Sequence, residues 1–585
     1  MLGNIALNYS QCIILLMSSL VSKVNKKLET AFGGKVRAVL NDGCLYLTGE
    51  LPDWDDVVRA GLMSVNKKKY TVVNDIVFTG GKKTEMSLPS VSGKILEGKT
   101  PDVLIIGGGV VGCAIARELT RYKLDVMLVE KEHDVALHAS SRNDGMVHPG
   151  IDLHKGQLKK KYNDAGNRMY GALCMELEVP YRNTGQYLCF TDGLLKPAAI
   201  AFLLHCKLIG LPAQYINRKK LSEKEPNLSD KIKFALFFPA AGMVCPYGLT
   251  IAYAENAADN GAKIYLDTAA LDIEVKDNKI ESVLTNQGRV FPKLVINAAG
   301  VYSEEIAQLA KDRFFSIHPR RGTNIIFDKK ASYAVRTIAS PYEKLEAACA
   351  KKAHSKGGGI MHTVDDNLLV GPNAVEIFEK ENFSTHRESI EAVLEKQRRI
   401  APDLHERDII SYFTGIRAPT YEEDFIVSYG KWTKNIIHAA GIQSPGLTAA
   451  PAIARDVSKM ASEFLNAGVN GQFNPVRKAI IRAAALPQEQ RNELIKKDPD
   501  YGEIICRCEE ISRGEVLAAL RRSVPCDTTD GVKRRVRPGM GRCQGSFCGP
   551  RVAQIIAEEK KIPLIGVKKM SHNSGILLCD NKENV

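Results

Sequence analysis

The chain has 585 residues, too many for a single hydrophobic core, and this length predicts two to four domains. A hydrophobic content of 44% and a charged content of 25% are those of a soluble globular protein, and 14 cysteines are too sparse for a disulfide scaffold. The net charge of +13 comes without a basic stripe interleaved with aromatics. That argues against nucleic acid and leaves dispersed solvated lysines, or attraction to an anionic substrate or membrane surface.

The first apolar run, Cys12–Leu20, is too short to span a bilayer. No Lys or Arg precedes Lys23 and no small-residue cleavage site is evident, so a signal peptide is not expected and a cytoplasmic location is the default. Residues 21–79 then form a small unit. Val21, Val24, Leu28 and Phe32 fall near helical spacing. Strand-like runs Val36–Leu40 and Leu45–Thr48 flank a turn at Asn41-Asp42-Gly43. A second helix is predicted over Asp53–Lys67 and a last strand over Val72–Phe78. This helix–strand–strand–helix–strand order, with Asp42-Gly43 ahead of Leu45–Gly49, resembles a BON domain. The resemblance implies phospholipid or partner binding; a tethering module without a ligand is the alternative.

Residues 80–100, rich in Gly, Ser and Lys, suit a linker. The main body spans about 101–465, a connector with a short helix 466–500, a four-cysteine unit 501–562, and a tail without pattern 563–585.

The main body opens on a nucleotide signature. Asp102–Ile106 reads as a buried parallel strand, and Gly107, Gly109 and Gly112 follow it at GxGxxG spacing. The first glycine permits the tight turn, the second lets backbone approach a pyrophosphate, and the third allows close packing of helix on strand. A helix is predicted over Val110–Thr120, with its N-terminal amides facing the phosphates. The next strand, Val126–Val129, ends at Glu130, placed to accept ribose hydroxyls. Two later segments favour FAD over NAD. Lys293–Gly300 is a strand breaking at Gly300. Gly441-Ile-Gln-Ser444-Pro-Gly446-Leu447-Thr448 opens a helical run, Ala449–Ala461, whose positive end could stabilise charge on a reduced flavin.

These segments resemble the FAD-dependent oxidoreductases of the D-amino-acid-oxidase and glycerol-3-phosphate-dehydrogenase type. Gly441–Ala454 looks most like the glycerol-3-phosphate dehydrogenase/oxidase branch. Arg142–Gly150 resembles both that branch and L-2-hydroxyglutarate dehydrogenases. The resemblance implies that Ser140-Ser141-Arg142-Asn143 runs beside the flavin, with Ser141, Arg142 and Asn143 as its contacts, that His148 is the candidate base, and that Arg417 contacts the anionic substrate. A guanidinium binds phosphate or carboxylate alike, so Arg417 does not choose between them. Lys356 is a candidate second cation, and Ser444 a hydrogen-bonding partner of substrate or flavin, or a helix cap. Arg320 and Arg321 are left without a role.

Cys506-Arg-Cys508 and Cys543-Gln-Gly-Ser-Phe-Cys548 form two close thiol pairs. They suit an iron–sulfur cluster, with zinc or an empty site as alternatives; the single residue between Cys506 and Cys508 fits structural zinc less well. Ser512 and Glu515 form a capping box ahead of a helix, and another helix is predicted from Arg551. The stretch resembles the [2Fe–2S] domain of bacterioferritin-associated ferredoxins, a domain also appended to anaerobic-type glycerol-3-phosphate dehydrogenases. The basic run Lys533–Arg537 either offsets the cluster's charge or forms a solvated face, and Cys526 is expected to be a packed thiol.

The expected fold class is α/β and α+β: an FAD-binding Rossmann-like domain with a β-rich substrate domain, a small N-terminal αββαβ module, and a small helical [2Fe–2S] C-terminal domain. The expected reaction is oxidation of sn-glycerol 3-phosphate to dihydroxyacetone phosphate. Electrons would leave through the cluster to a partner such as a second flavoprotein or a quinone-linked subunit, peripheral to the inner face of a membrane. The rival readings are an L-2-hydroxy acid dehydrogenase and a non-catalytic electron-transfer subunit.

Overall fold

The computed structural model describes residues 19–82, 85–342 and 358–579. Residues 12–18 of the first apolar run, and Lys356, lie outside the described residues.

The N-terminal module has the predicted order. A helix over 19–32 leads into antiparallel strands Val36–Asn41 and Cys44–Leu51. Asp42 and Gly43 between them both take positive φ, 47° and 70°, as a two-residue hairpin turn requires. Helix Trp54–Met63 starts where the Asp53 carboxylate accepts from the Asp55 amide, and strand Thr71–Phe78 then pairs parallel to Cys44–Leu51. Leu28, Leu45, Leu47 and Val72 are wholly buried in this module, and the ring of Tyr421 from the main body completes the core.

The Gly/Ser/Lys-rich stretch at 80–100 is not a free linker throughout. Leu96 is buried, and the amides of Gly93 and Gly98 donate to Asn286 and Arg289 carbonyls on the hairpin sheet of the main body.

In the main body a six-stranded sheet runs Lys263–Tyr265, Val126–Val129, Val103–Ile106, Leu294–Asn297, Ile436–Ala440, Ile426–Tyr429, parallel except for the last strand. All residues of Val103–Ile106 and Val126–Val129 are buried, each apolar side chain contributing about 1.5–3 kcal/mol. Helices Val110–Leu119, Leu158–Glu176, Pro246–Asp259 and Gly446–Phe464 share one core against this sheet, and the hairpin sheet over 270–290 joins another. A nine-stranded mixed sheet forms the second layer. In it Ile409–Arg417 runs antiparallel to Arg320–Phe327, with Arg417 opposite Arg320.

The connector carries the expected helix, Gln488–Lys497, but its upstream half is fixed to the main body. Arg477 Nε donates to the buried Glu255 at 2.6 Å, and the Arg121 guanidinium lies 4.2 Å from the centre of the Phe473 ring. The C-terminal unit packs helices Arg513–Leu520, Thr529–Val536 and Gly549–Lys560 around Val516, Ala519, Val532 and Ile556. The Ser512/Glu515 capping box forms in both directions. Cys526 is a packed thiol, pushed up to about 11 by burial.

The basic run Lys533–Arg537 is neither a solvated face nor simply a counter-charge. Arg535 grips Asp134 of the main body through both terminal nitrogens, at 2.8 and 3.0 Å, and Arg534 adds a third bond at 3.2 Å. Arg537 reaches Asp365 at 2.8 Å and Glu509 at 3.0 Å. The run is a docking clamp between the C-terminal unit and the main body. Among the described residues no helix is long and apolar enough to cross a membrane.

Candidate active site and cluster site

The nucleotide cradle follows from close approach. A Cβ on Gly112 would fall 1.9 Å from the Gly107 carbonyl oxygen, and one on Gly107 would fall 2.5 Å from that of Ala298. No side chain fits either place, so helix Val110–Leu119 starts directly on the strand end. Glu130 Oε2 accepts from the Gly108 amide at 2.5 Å, and burial raises its carboxyl above the usual range. The Val110 amide donates to Ser140 Oγ at 2.8 Å, whereas Ser141 Oγ turns back to the His138 carbonyl. The serine that accepts from the helix start is therefore Ser140 rather than Ser141. Nothing in a Ser-Ser pair distinguishes the two; the register is set by the loop's own hydrogen bonds.

Arg142 and Asn143 hold that loop. The Arg142 guanidinium lies 4.2 Å from the Phe383 ring centre and donates to the Leu137 and Thr414 carbonyls. Asn143 Nδ2 donates to Ala139, and its Oδ1 accepts from Gly145. Gly415 lets strand Ile409–Arg417 lie against this loop, since a Cβ there would fall 2.1 Å from the Arg142 carbonyl oxygen. Gly300 (φ 57°) breaks the chain after strand Leu294–Asn297 as predicted.

The second helix start completes the cradle. Gly441 has φ 65°, and Gly446 opens helix Gly446–Phe464. The amides of Leu447 and Thr448 find no acceptor among the described residues, although Thr448 is buried. Two free donors at a helix N-terminus, one on a buried and one on a partly buried residue, suit an anionic or electron-rich group.

Thr448 also positions His148, whose amide donates to Thr448 Oγ1 at 2.9 Å while its carbonyl accepts from Asn167 Nδ2 at 3.0 Å. His148 Nε2 and Ser444 Oγ are 3.3 Å apart. The structure thus brings together His148, Ser444 and Thr448.

Arg417 and Arg320 face each other in register but differ in their partners. Arg320 is neutralised by Glu376 and Glu423, each at 2.6 Å, and its Nη1 donates to Gln443 Oε1 at 3.4 Å. Burial alone would raise the Glu423 carboxyl, but Arg320 and Lys159 outweigh it and hold it far below the usual range. Arg417 donates to the Asn373 carbonyl at 3.2 Å and has no carboxylate within ion-pair distance among the described residues. Its guanidinium lies deep among protein atoms while keeping part of its surface open, and this desolvation lowers it to about 10. Gly322 makes room for it; a Cβ there would lie 2.7 Å from Nη2. Gln443 immediately precedes Ser444, so the Arg320–Gln443 bond joins the cationic strand pair to the His148 end of the site.

In the C-terminal unit the two cysteine pairs converge. Cys508 and Cys543 sulfurs are 3.6 Å apart, close to the roughly 3.7 Å edge of a tetrahedral site with ~2.3 Å metal–sulfur bonds. Cys506 is lowered to about 6 by the Cys548 thiol that donates to it. Gly541 permits this packing, because a Cβ there would fall 2.4 Å from Cys508 Cβ. Cys506 and Cys548 are buried and Cys508 is exposed, so one edge of the site opens to solvent. None of the described cysteines is in a disulfide.

A strand–glycine–helix cradle, orphaned helix-start donors and a four-thiol site define a nucleotide-dependent oxidoreductase with a metal-cluster domain. Residues 102–460 match the family of FAD dependent oxidoreductases, and residues 504–558 match the BFD-like [2Fe-2S] binding domain. The chain belongs to the FAD-dependent oxidoreductase family, and FAD and a [2Fe–2S] cluster are its cofactors. It is similar to the glycerol 3-phosphate dehydrogenase of Caloramator mitchellensis, with 40% identity over 489 residues covering 83% of this chain and 99% of that protein. It is also similar to one subunit of the anaerobic glycerol-3-phosphate dehydrogenase of Escherichia coli (strain K12), with 24% identity over 79% of this chain and 89% of that one. Among solved structures, the dithionite-reduced L-alpha-glycerophosphate oxidase of Mycoplasma pneumoniae with FAD bound superposes with a TM-score of 0.59 at 26% identity, covering 65% of this chain and 98% of that chain.

Proposed function

We propose that this chain oxidises sn-glycerol 3-phosphate at C2 to dihydroxyacetone phosphate. The observation that carries the reading is Arg417, a desolvated guanidinium with no carboxylate partner among the described residues. Asp144, Glu376 and Glu423 act on it only from a distance and do not offset its desolvation, and an anionic substrate would supply a direct partner. The similarity to glycerol 3-phosphate dehydrogenase across nearly all of that relative supports phosphate over carboxylate.

In this reading Arg417 anchors the phosphate in bidentate fashion. His148 takes the C2 hydroxyl proton at Nε2, the nitrogen that faces Ser444. The Thr448 and Asn167 hydrogen bonds fix its backbone, and so the height of the ring above the helix start. When bound, FAD would supply a two-electron acceptor at this site and the [2Fe–2S] cluster a one-electron acceptor. Glu130, Ser140 and the amides at Gly109 and Val111 would hold the nucleotide, and the Leu447 and Thr448 amides would stabilise its electron-rich ring. Cys506, Cys508, Cys543 and Cys548 hold the cluster, with Cys508 on the solvent side.

An exposed cluster edge favours a separate electron acceptor, such as a second flavoprotein or quinone-linked subunit, with the chain peripheral to a membrane. The E. coli relative, itself one subunit of an enzyme, supports that arrangement. Anaerobic rapid mixing with sn-glycerol 3-phosphate and, separately, L-2-hydroxyglutarate tests the substrate. Bleaching of the flavin by the phosphate ester and not the hydroxy acid is expected; the reverse would install the rival.

A further inference from the structure

The N-terminal module supplies none of the site residues above, yet it is built into the wall behind them. One of its contacts is the turn at residues 420–424. Tyr421 is 3% exposed and lies in the module's core, where its hydroxyl accepts from Asn74 Nδ2 at 2.7 Å. The ring fills the place of a missing side chain, since a Cβ on Gly61 would fall 2.1 Å from it. The ring's other neighbour is His318, stacked at 4.7 Å between centroids. Next in sequence, Glu422 Oε1 accepts from the Val72 amide of the module at 2.7 Å.

The same turn then faces the substrate end. Glu423 has φ 53°, a conformation uncommon for a non-glycine residue, and its carboxylate accepts from Arg320 and from Gln443 Nε2. His318 contacts Glu376 at 2.9 Å and the Thr420 carbonyl at 3.3 Å, and Glu376 is the second carboxylate on Arg320. Asp424 accepts from the amides of Leu158 and Lys159. Residues 421 and 422 thus belong to the module, while 423 and His318 hold Arg320 and Gln443. These are the neighbours of Arg417 and Ser444.

We propose that Tyr421 is a positioning residue through which the N-terminal module holds the substrate end of the active site. The proposal rests on the assignment of Arg417 and Ser444 to the substrate. With the ring seated, the turn cannot move without breaking the module's core, so Glu423 and Glu376, the latter held by His318, present fixed partners to Arg320. With the ring displaced, Arg320 and Gln443 lose that support, and the segment 441–448 loosens with them. Other docking contacts, Asp75 to Arg313 at 2.6 Å and the Asn74 amide to Ser316 Oγ at 3.0 Å, keep the module in place meanwhile.

The test uses the full-length holoenzyme carrying Gly61→Ala, Tyr421→Ala or Tyr421→Phe. Alanine is the better helix former, so Gly61→Ala acts through its collision with the ring rather than through helix propensity. Hydrogen exchange and steady-state kinetics with sn-glycerol 3-phosphate are read together, at unchanged FAD content. Gly61→Ala and Tyr421→Ala are expected to speed exchange in 441–448 about tenfold. Both are also expected to raise KM about five- to tenfold with kcat within about twofold. Tyr421→Phe, which keeps the ring, is expected to stay near wild type. Exchange changes confined to the module, or an unchanged KM beside faster exchange, would overturn the proposal. If wild-type flavin is not bleached by sn-glycerol 3-phosphate, the substrate reading fails instead, and exchange in 441–448 alone decides the role of Tyr421.

Discussion

Replacing Arg417 by Gln removes a charge that the folded protein holds at a cost, so stability and substrate affinity should move in opposite directions. Desolvation lowers the guanidinium from its ordinary value to about 10, and each tenfold change in proton affinity is worth about 1.4 kcal/mol. The upper bound on the cost is therefore about 3 kcal/mol. Partial opening to solvent and loss of the bond to the Asn373 carbonyl reduce the net gain on substitution to about 1 kcal/mol. The sign follows from the lowered folded value. The penalty is full below pH about 10 and shrinks as pH rises from there, so a Gln variant is the more stable one at neutral pH. The substrate loses two charge-assisted hydrogen bonds of about 1.5–3 kcal/mol each, part of which the amide recovers. A fall in kcat/KM of about 10²–10³ is expected. The assays are thermal release of FAD followed by flavin fluorescence, and anaerobic reduction of the flavin across a range of sn-glycerol 3-phosphate concentrations. A lower midpoint for FAD release together with kcat/KM within about threefold of wild type would refute the reasoning.

Three further outcomes are expected. His148→Gln should slow flavin reduction by about 10²–10⁴ with substrate affinity nearly unchanged, read by saturation in rapid mixing. Cys508→Ser should abolish cluster absorbance and reduction of a distant acceptor while the flavin still bleaches at the wild-type rate; equal acceptor reduction in both proteins would remove the cluster from the electron path. Arg535→Ala leaves the Asp134 carboxylate, 1% exposed, with Arg534 at 3.2 Å as its remaining cation, and should weaken docking of the C-terminal unit by about 1–3 kcal/mol, seen as faster limited proteolysis within 486–500.

Legibility in the sequence followed the range of the interactions. Strand, glycines, helix and Glu130 lie within thirty residues and interact locally, so the nucleotide cradle could be read directly. The capping box at Ser512 and the Asp42-Gly43 turn are local in the same sense. Ser140 was not separable from Ser141, because loop packing chooses between adjacent identical residues. Arg320 had no visible role, since its partners Glu376 and Glu423 stand 56 and 103 residues away. The basic run at 533–537 read as a charge feature of its own domain, whereas its main partner Asp134 is about 400 residues upstream. Residues 21–79 looked like a separable tether because the alternation of their own sequence is self-sufficient. The insertion of Tyr421 into their core depends on a vacancy at Gly61 that is seen in three dimensions.

Anaerobic titration of the purified protein with sn-glycerol 3-phosphate, following flavin and iron–sulfur absorbance together, tests the central claim most directly. Bleaching of the flavin accompanied by reduction of the cluster, with no response to L-2-hydroxyglutarate, is the predicted result. A flavin that stays oxidised in sn-glycerol 3-phosphate but is bleached by the hydroxy acid, or a flavin that bleaches while the cluster never changes, would contradict it.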